Sequence, residues 1–157
     1  FSQALTTFIG QNLGAKEYDR TKKGALFGTI CGIGIAEVIG IAVFFFSPYL
    51  IAAFGGDQKA IEYGIAEAHT IALFYCLLAF SHCMAAIQRG AGRSIVPMFV
   101  MMLVWCGVRV TYISIVIRII PMINVIYWAY PLTWFISSVI FLILFLKTDW
   151  IHGLEKQ

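Results

Sequence analysis

The sequence predicts an all-α membrane protein: a polytopic bundle of four full transmembrane helices and the end of a fifth. Of its 157 residues, 61% are hydrophobic and only 12% are charged, whereas average soluble domains carry roughly 25% charged residues. Four apolar stretches each reach the length of about 20 residues that a helix needs to cross a bilayer. Because lipid cannot hydrogen-bond a bare backbone, each stretch is expected to be helical.

The expected helices cover most of the chain. Residues 1–14 have apolar side chains at helical spacing and close on a glycine, which predicts the end of one helix. The four full spans are expected at approximately 24–46, 68–90, 95–118 and 123–147. Segment 48–67 is expected to be an outer loop longer than a tight turn. Pro131 is expected to kink or break the last helix near Tyr127, because proline lacks a backbone donor.

Lysine and arginine are concentrated on one side of this predicted topology. If the spans alternate in direction, eight of the 11 basic residues share a side: Lys16, Arg20, Lys22, Lys23, Arg89, Arg93, Lys147 and Lys156. Lys59 and Arg118 lie on the other side. The positive-inside rule then predicts a multi-pass protein of the cell membrane with a cytoplasmic C-terminus. This topology explains the net charge of +3, so we expect the lipid bilayer as partner and no nucleic acid.

Small residues recur at every fourth position of the first full span, at Gly24, Gly28, Gly32, Ala36 and Gly40. In a bilayer this spacing lets two helix backbones approach closely, so it predicts a packing face. The four cysteines, Cys31, Cys76, Cys83 and Cys106, lie within spans and lack metal-ligand spacing. They are interpreted as packing residues, and no metal site is expected.

Glu37 and Arg109 are the two charged residues deep inside the predicted spans, each roughly 20 Å from the cytoplasmic end of its helix. An unpaired charge at this depth costs a few kcal/mol at least, so each should face a partner or a wet cavity. Two interpretations remain open. The residues form a structural ion pair, or Glu37 is a protonatable or cation-binding carboxylate that couples an ion gradient to a conformational change.

The second span combines polar and aromatic side chains. His82 is either a hydrogen-bonded packing residue or a proton relay, because imidazole titrates near neutral pH. The ion-coupling candidates are therefore Glu37, Arg109 and His82. The candidates for a substrate cavity are Phe74, Tyr75, Ser81, Met84 and Gln88. Nothing in the sequence resembles a catalytic triad or a nucleotide-binding loop, so we expect no enzyme and no cofactor beyond a coupling ion.

Four aromatic residues, Tyr127, Trp128, Tyr130 and Trp134, gather near the outer end of the last span. Amphipathic rings favour the headgroup layer, so they are interpreted mainly as membrane anchors. Lining a substrate cavity is the alternative.

Three motifs resemble conserved segments of multidrug and toxic compound extrusion (MATE) transporters. They are Phe8-Ile9-Gly10-Gln11-Asn12-Leu13-Gly14-Ala15 before a basic loop, Gly90-Ala91-Gly92-Arg93-Ser94-Ile95-Val96-Pro97 before the penultimate helix, and Tyr130-Pro131-Leu132-Thr133-Trp134 in the last helix. They occur in the family's order and spacing, and the resemblance covers essentially all 157 residues. Because the chain also opens without an initiator methionine, we expect a segment of a longer protein.

The resemblance implies twelve helices in two lobes, of which residues 1–157 would be a partial C-terminal lobe, from the end of helix eight to helix twelve. It implies secondary-active multidrug efflux of amphipathic cationic compounds by alternating access, in exchange for protons or sodium. The N-terminal lobe of the same chain would be its partner. The span that corresponds to helix ten lacks the family's usual carboxylate in its core, so that role is not transferred to Glu37. A lipid-linked substrate flippase of the same superfamily and a non-transporting scaffold subunit remain alternatives.

Overall fold

The computed structural model describes residues 1–151, which form helices joined by short connections. The helices are α1 (Ser2–Gly14), α2 (Tyr18–Ala53), α3 (Gln58–Ala72), α4 (Tyr75–Gly90), α5 (Ile95–Met101), a π-helix (Met102–Val108), α6 (Arg109–Ile119) and α7 (Asn124–Lys147). Helix α5, the π-helix and α6 together make one rod of 25 residues. The described residues contain no strand. Of the basic residues discussed above, Lys156 lies outside the described range.

Long helices with outward-facing apolar side chains make this a multi-pass membrane protein. Three helices are long and apolar enough to cross a bilayer, and the bent pair α3–α4 makes a fourth if it is counted as one span. Phe27 is 70% exposed, Phe45 68% and Leu146 74%. Soluble proteins rarely expose apolar surface this extensively, whereas lipid covers it without cost. The predicted all-α membrane bundle is confirmed.

Helix α4 lies at the centre of the bundle and contacts α1, α2 and α7. Its residues 83–87 are all buried, and they form a core with Ile9 of α1 and Phe141 of α7. The close approach of α1 depends on Gly90, because a Cβ there would lie 2.7 Å from both the Cβ of Ile9 and the carbonyl oxygen of Thr6.

The stripe of small residues on α2 is a packing face, as predicted. A Cβ on Gly28 would lie 2.7 Å from Leu5 of α1. A Cβ on Gly40 would overlap the backbone carbonyl oxygen of Ala72 at the end of α3. One face of α2 therefore holds α1 along its first half and α3 along its second.

The expected outer loop over 48–67 is wrong, because helix fills nearly all of it. Helix α2 continues through Pro48, and only residues 54–57 connect it to α3. Pro48 cannot donate to the carbonyl of Phe44, but the hydroxyl of Ser47 donates to that oxygen at 3.2 Å. A side chain thus replaces the missing backbone donor, and the helix does not have to stop.

The second expected span, 68–90, is not one straight helix. It is divided between α3 and α4, which meet at a bend of 58° around Leu73 and Phe74. Near the bend, the backbone N–H of Cys76 donates to Oε2 of Glu37 at 3.1 Å. The carboxylate on α2 therefore satisfies one of the donors that every helix start leaves without an intrahelical partner.

Pro131 does not break the last helix, so of the two effects expected near Tyr127, a kink or a break, the break is wrong. Helix α7 is continuous from Asn124 to Lys147. The side chain of Thr133 donates to the carbonyl oxygen of Ala129 at 2.9 Å and reinforces the turn that contains the proline. Proline removes only one backbone donor, and neighbouring groups in a membrane bundle can satisfy the carbonyl oxygen left without it.

The basic segments gather at one end of the bundle. Lys22, near the start of α2, lines the same groove as Trp150 beyond α7. Nη2 of Arg93, in the turn after α4, donates to the carbonyl oxygen of Asp149 at 2.8 Å. These contacts bring three of the predicted cytoplasmic segments together, which is the arrangement that alternating spans require.

Candidate functional site

The candidate site is a group of rings around Arg109. Ring-to-ring contacts join His82 to Trp105 at 5.4 Å between centroids, and join Trp134 to both Tyr130 and Tyr75 at 6.1 Å. We call these residues the Arg109 cluster: Arg109, Tyr75, His82, Trp105, Tyr130 and Trp134. Trp134 is buried and the other five are half-buried, so part of the cluster remains open at the surface of the bundle.

Arg109 is held by α7 through one hydroxyl and one ring. Its Nη2 donates to Oγ1 of Thr133 at 2.7 Å, and its Nε approaches the same oxygen at 3.3 Å. Its Cζ lies 4.3 Å from the ring centroid of Tyr130 and 5.8 Å from that of Trp105. Stacking on an electron-rich ring stabilises a cation, most strongly where water is scarce. Neutral groups thus hold a charge that remains without a counterion in residues 1–151.

The π-helix places Trp105 and Arg109 on the face that meets α7. Nε1 of Trp105 donates to Oγ of Ser137 at 3.3 Å, and Arg109 contacts Thr133, so the two helices pair in antiparallel register with steps of four residues. A π-helix is rare, and π-helical turns are frequently found at functional sites. The π-helix therefore ends directly before Arg109.

A network of serine hydroxyls lies beneath the rings. Oγ of Ser81 on α4 lies 2.9 Å from Oγ of Ser137 and 3.0 Å from Oγ of Ser138, both on α7. Ser138 also donates to the carbonyl oxygen of Leu77 at 3.1 Å. All three serines are buried. Hydrogen bonds between helices take the place of the hydrophobic force that lipid does not provide, so this network ties α4 to α7.

A groove between α1, α2 and α4 adjoins the cluster. Its volume is about 420 Å³, and its lining includes Tyr75 and His82 of the Arg109 cluster, Ile35 and Ile39 of α2, and Phe1. Typical small-molecule pockets are about 300–1,000 Å³, mostly apolar, with a few polar groups. The groove therefore has the size and character to hold a flat, apolar molecule beside a titratable imidazole.

The structure separates the two charges considered as an ion pair. Glu37 is half-buried and faces the start of α4, whereas Arg109 faces α7. No ion pair joins them within residues 1–151, and α2 does not pack against the rod that carries Arg109. The structural ion pair is therefore not formed, and each charge has its own neutral partner.

The predicted cavity residues are dispersed. Tyr75 lines the groove beside the cluster, and Ser81 belongs to the serine network. Phe74 packs edge-to-face on Trp128, at the bend, with centroids 5.9 Å apart. Met84 is in the core and borders a second groove of about 500 Å³ at the basic end. Gln88 is 2% exposed, and its Oε1 has no hydrogen-bond partner in the described part of the chain.

Sequence reasoning missed Trp105, Thr133, Ser137 and Ser138. The sequence does carry a signal for these contacts. In the last span Thr133 and Ser137 are four residues apart, as are Trp105 and Arg109 in the span before it. Two adjacent antiparallel spans bring such pairs together when their register allows it. Tyr130, interpreted mainly as a membrane anchor, is instead the ring on which the arginine stacks.

A family model described as MatE matches residues 1–113, which is well over half of the chain. The chain belongs to the MatE family. The MatE assignment agrees with a curated relative, Probable multidrug resistance protein NorM of Thermotoga maritima, which is 29% identical over 99 residues. That match covers 63% of this chain and 21% of the relative, so the chain spans about a fifth of the relative's length. The resemblance to MATE transporters is confirmed.

Proposed function

We propose that this chain is part of a secondary-active exporter that moves amphipathic cationic compounds out of the cell by alternating access. The observation that carries the proposal is the MatE match over residues 1–113. The name of the curated relative, a probable multidrug resistance protein, supports the same class of activity. The N-terminal lobe of the same chain would form the other wall of the pathway.

The groove and the Arg109 cluster support a substrate path on this side of the protein. Aromatic rings offer flat apolar surfaces that accept many related compounds, because stacking depends little on the detailed structure of the ligand. Tyr75 and His82 belong to both the groove and the cluster, so one bound molecule can contact both.

Glu37 is the residue at which we propose that a proton or a sodium ion acts. Its carboxylate accepts the N–H of Cys76 at the start of α4, beside the bend between α3 and α4. Binding of a proton or cation weakens a carboxylate as an acceptor, since charge-assisted hydrogen bonds are roughly twice as strong as neutral ones. Broken helices with ion sites at their ends are a recurring feature of secondary transporters. His82, which faces the groove, is proposed as a proton relay.

The proposed orientation is that of a multi-pass cell-membrane protein with a cytoplasmic C-terminus. Its support is the gathering of Lys22, Arg93 and the end of α7 at one end of the bundle, together with the positive-inside rule. No organic cofactor is proposed beyond the coupling ion.

The test is efflux of a cationic dye from a drug-sensitive strain that expresses the whole protein. The protein is expected to lower dye retention. Glu37→Gln keeps an oxygen that can accept the N–H of Cys76 but cannot carry the charge, so we expect a folded protein whose efflux no longer follows the ion gradient. Glu62→Gln, at an exposed glutamate of α3, is the matched control and is expected to behave as the parent does.

Two results would count against this proposal. Unchanged dye retention with a well-expressed parent protein would contradict export. Gradient-driven efflux at the parental rate by Glu37→Gln would leave Glu37 with only its structural role at the start of α4.

A further inference from the structure

Arg109 is a cation at mid-depth whose charge no acidic side chain neutralises within residues 1–151. It lies 10 residues from the end of its helix at Ile119, about 15 Å along the axis, and further than that from Ile95. The nearer headgroup layer is therefore beyond easy reach of its side chain. Charged side chains at such depth are rare, and they pair with another charge or mark the path of a substrate or an ion.

The donors of Arg109 are only partly used. A guanidinium has five N–H groups in a planar fork, and the protein acceptor that they reach within residues 1–151 is Oγ1 of Thr133. The hydroxyl of Thr133 in turn donates along its own helix, to Ala129 at 2.9 Å or to Tyr130 at 3.0 Å. The threonine is therefore oriented with a lone pair towards the arginine. The guanidinium is fixed in position with donors to spare.

The ring of Tyr130 is already covered by a cation. Arg109 stacks on it at 4.3 Å, so a cationic ligand would have to displace the arginine and overcome repulsion from it. An anionic group meets the opposite situation, because spare donors, positive charge and scarce water all favour it. The neighbouring rings of Trp105 and His82 then offer apolar surface for the remainder of an aromatic ligand.

We propose that Arg109 binds the carboxylate of aromatic compounds, with Thr133 and Tyr130 holding its guanidinium in place for a two-point contact. The proposal rests on the proposed export function and specifies how, among its amphipathic cationic substrates, those that carry a carboxylate beside the basic group are bound. This role differs from that of an ion-coupling residue. Arg109 stays charged and binds the substrate, whereas an ion-coupling residue takes up and releases an ion.

The test uses the whole protein, purified in detergent, and two probes of nearly the same shape, 2-naphthoate and 2-naphthamide. Binding of each is measured by calorimetry. We expect the parent to bind the carboxylate at least tenfold more tightly than the amide. Arg109→Gln should abolish this preference and leave binding of the amide unchanged. Arg109→Lys should retain a smaller preference, because an ammonium lacks the planar fork.

The matched control is Arg118→Gln, which removes an exposed arginine near the end of the same rod and is expected to keep the full preference. Equal binding of the two probes by the parent would overturn the inference. This is the result expected where an acidic side chain elsewhere in the protein already neutralises Arg109. A preference that survives in Arg109→Gln would also overturn it. If Arg109→Gln does not fold, the preference in Arg109→Lys decides, and a value equal to that of the parent contradicts the two-point contact.

The failure of this inference can be told apart from the failure of export. Dye efflux by the parent together with equal binding of the two probes would refute only the carboxylate site. A carboxylate preference without any efflux would leave the site in place and refute the transport proposal.

Discussion

Single charged and hydroxyl-bearing residues in this protein are stabilised by neutral partners, although their surroundings are apolar. The carboxylate of Glu37 meets a backbone N–H, and the guanidinium of Arg109 meets a threonine hydroxyl and a tyrosine ring. Each contact lowers the cost of a buried charge without cancelling the charge. Both residues therefore keep the ability to interact with an ion or ligand, which a tight ion pair would have removed.

Thr133→Val tests the hydroxyl that holds Arg109. Valine has almost the same shape, so the change removes mainly the hydrogen bonds, and bonds to charged groups are worth about 1.5–3 kcal/mol. We expect a loss of stability in that range, measured as thermal unfolding in detergent. Thr7→Val is the control, because the exposed Thr7 hydroxyl donates only within its own helix, to Gln3. Equal stability losses in the two variants would mean that the contact with Arg109 contributes nothing.

At the scale of helices, the sequence predicted where the chain is apolar better than where it bends. The four apolar stretches lie in α2, the bent pair α3–α4, the rod Ile95–Ile119 and α7. Most of helix α3 lies in the segment that was expected to be a loop, although its Ile61 and Ile65 follow helical spacing. The bend at Leu73 and Phe74 contains neither glycine nor proline, so no local signal marks it.

The site shows a similar contrast: the sequence predicts which residues need partners, but not which partners they find. That Glu37 and Arg109 would need partners follows from their depth in the membrane. Which partners they find depends on the bend and on the register between the rod and α7, and both are set by packing over the whole bundle. A single sequence carries that information only weakly, through matched spacings such as that of Thr133 and Ser137.

Gly40→Ala tests the contact between α2 and the end of α3. The added methyl group would overlap the carbonyl oxygen of Ala72, and backbone cannot rotate away as a side chain can. Overpacking of this kind costs typically about 1–3 kcal/mol, so we expect lower thermal stability and reduced dye efflux. Gly34→Ala in the same helix meets nothing within 4 Å and should be neutral or slightly stabilising. Wild-type stability of Gly40→Ala would show that α3 does not sit against α2 as described.

At the scale of the whole molecule, charge is distributed along the bundle axis. The basic end brings together the start of α2, the turn after α4 and the residues beyond α7, while Lys59 lies on α3 towards the opposite end. Because the positive-inside rule acts on the complete set of loops, orientation is a property of the assembled bundle rather than of one helix.

Cysteine labelling in intact cells tests the proposed orientation. In a background without Cys31, Cys76, Cys83 and Cys106, Lys59→Cys is expected to react with a membrane-impermeant maleimide. Lys22→Cys, at a position that is also exposed in the structure, should react only after the membrane is permeabilised. The reverse pattern would place the basic end outside the cell.

The 36 residues of helix α2 make it about 54 Å long at 1.5 Å per residue. A bilayer with its headgroups is about 40–45 Å thick, so an upright α2 would extend roughly 10 Å beyond the bilayer. Its surplus is taken up by tilting or by projecting its lysine-rich first turns into the aqueous phase. In either case a change in the tilt of α2 moves its ends further than its middle, where Glu37 lies, so this helix would amplify a motion driven by the ion site that we propose at Glu37.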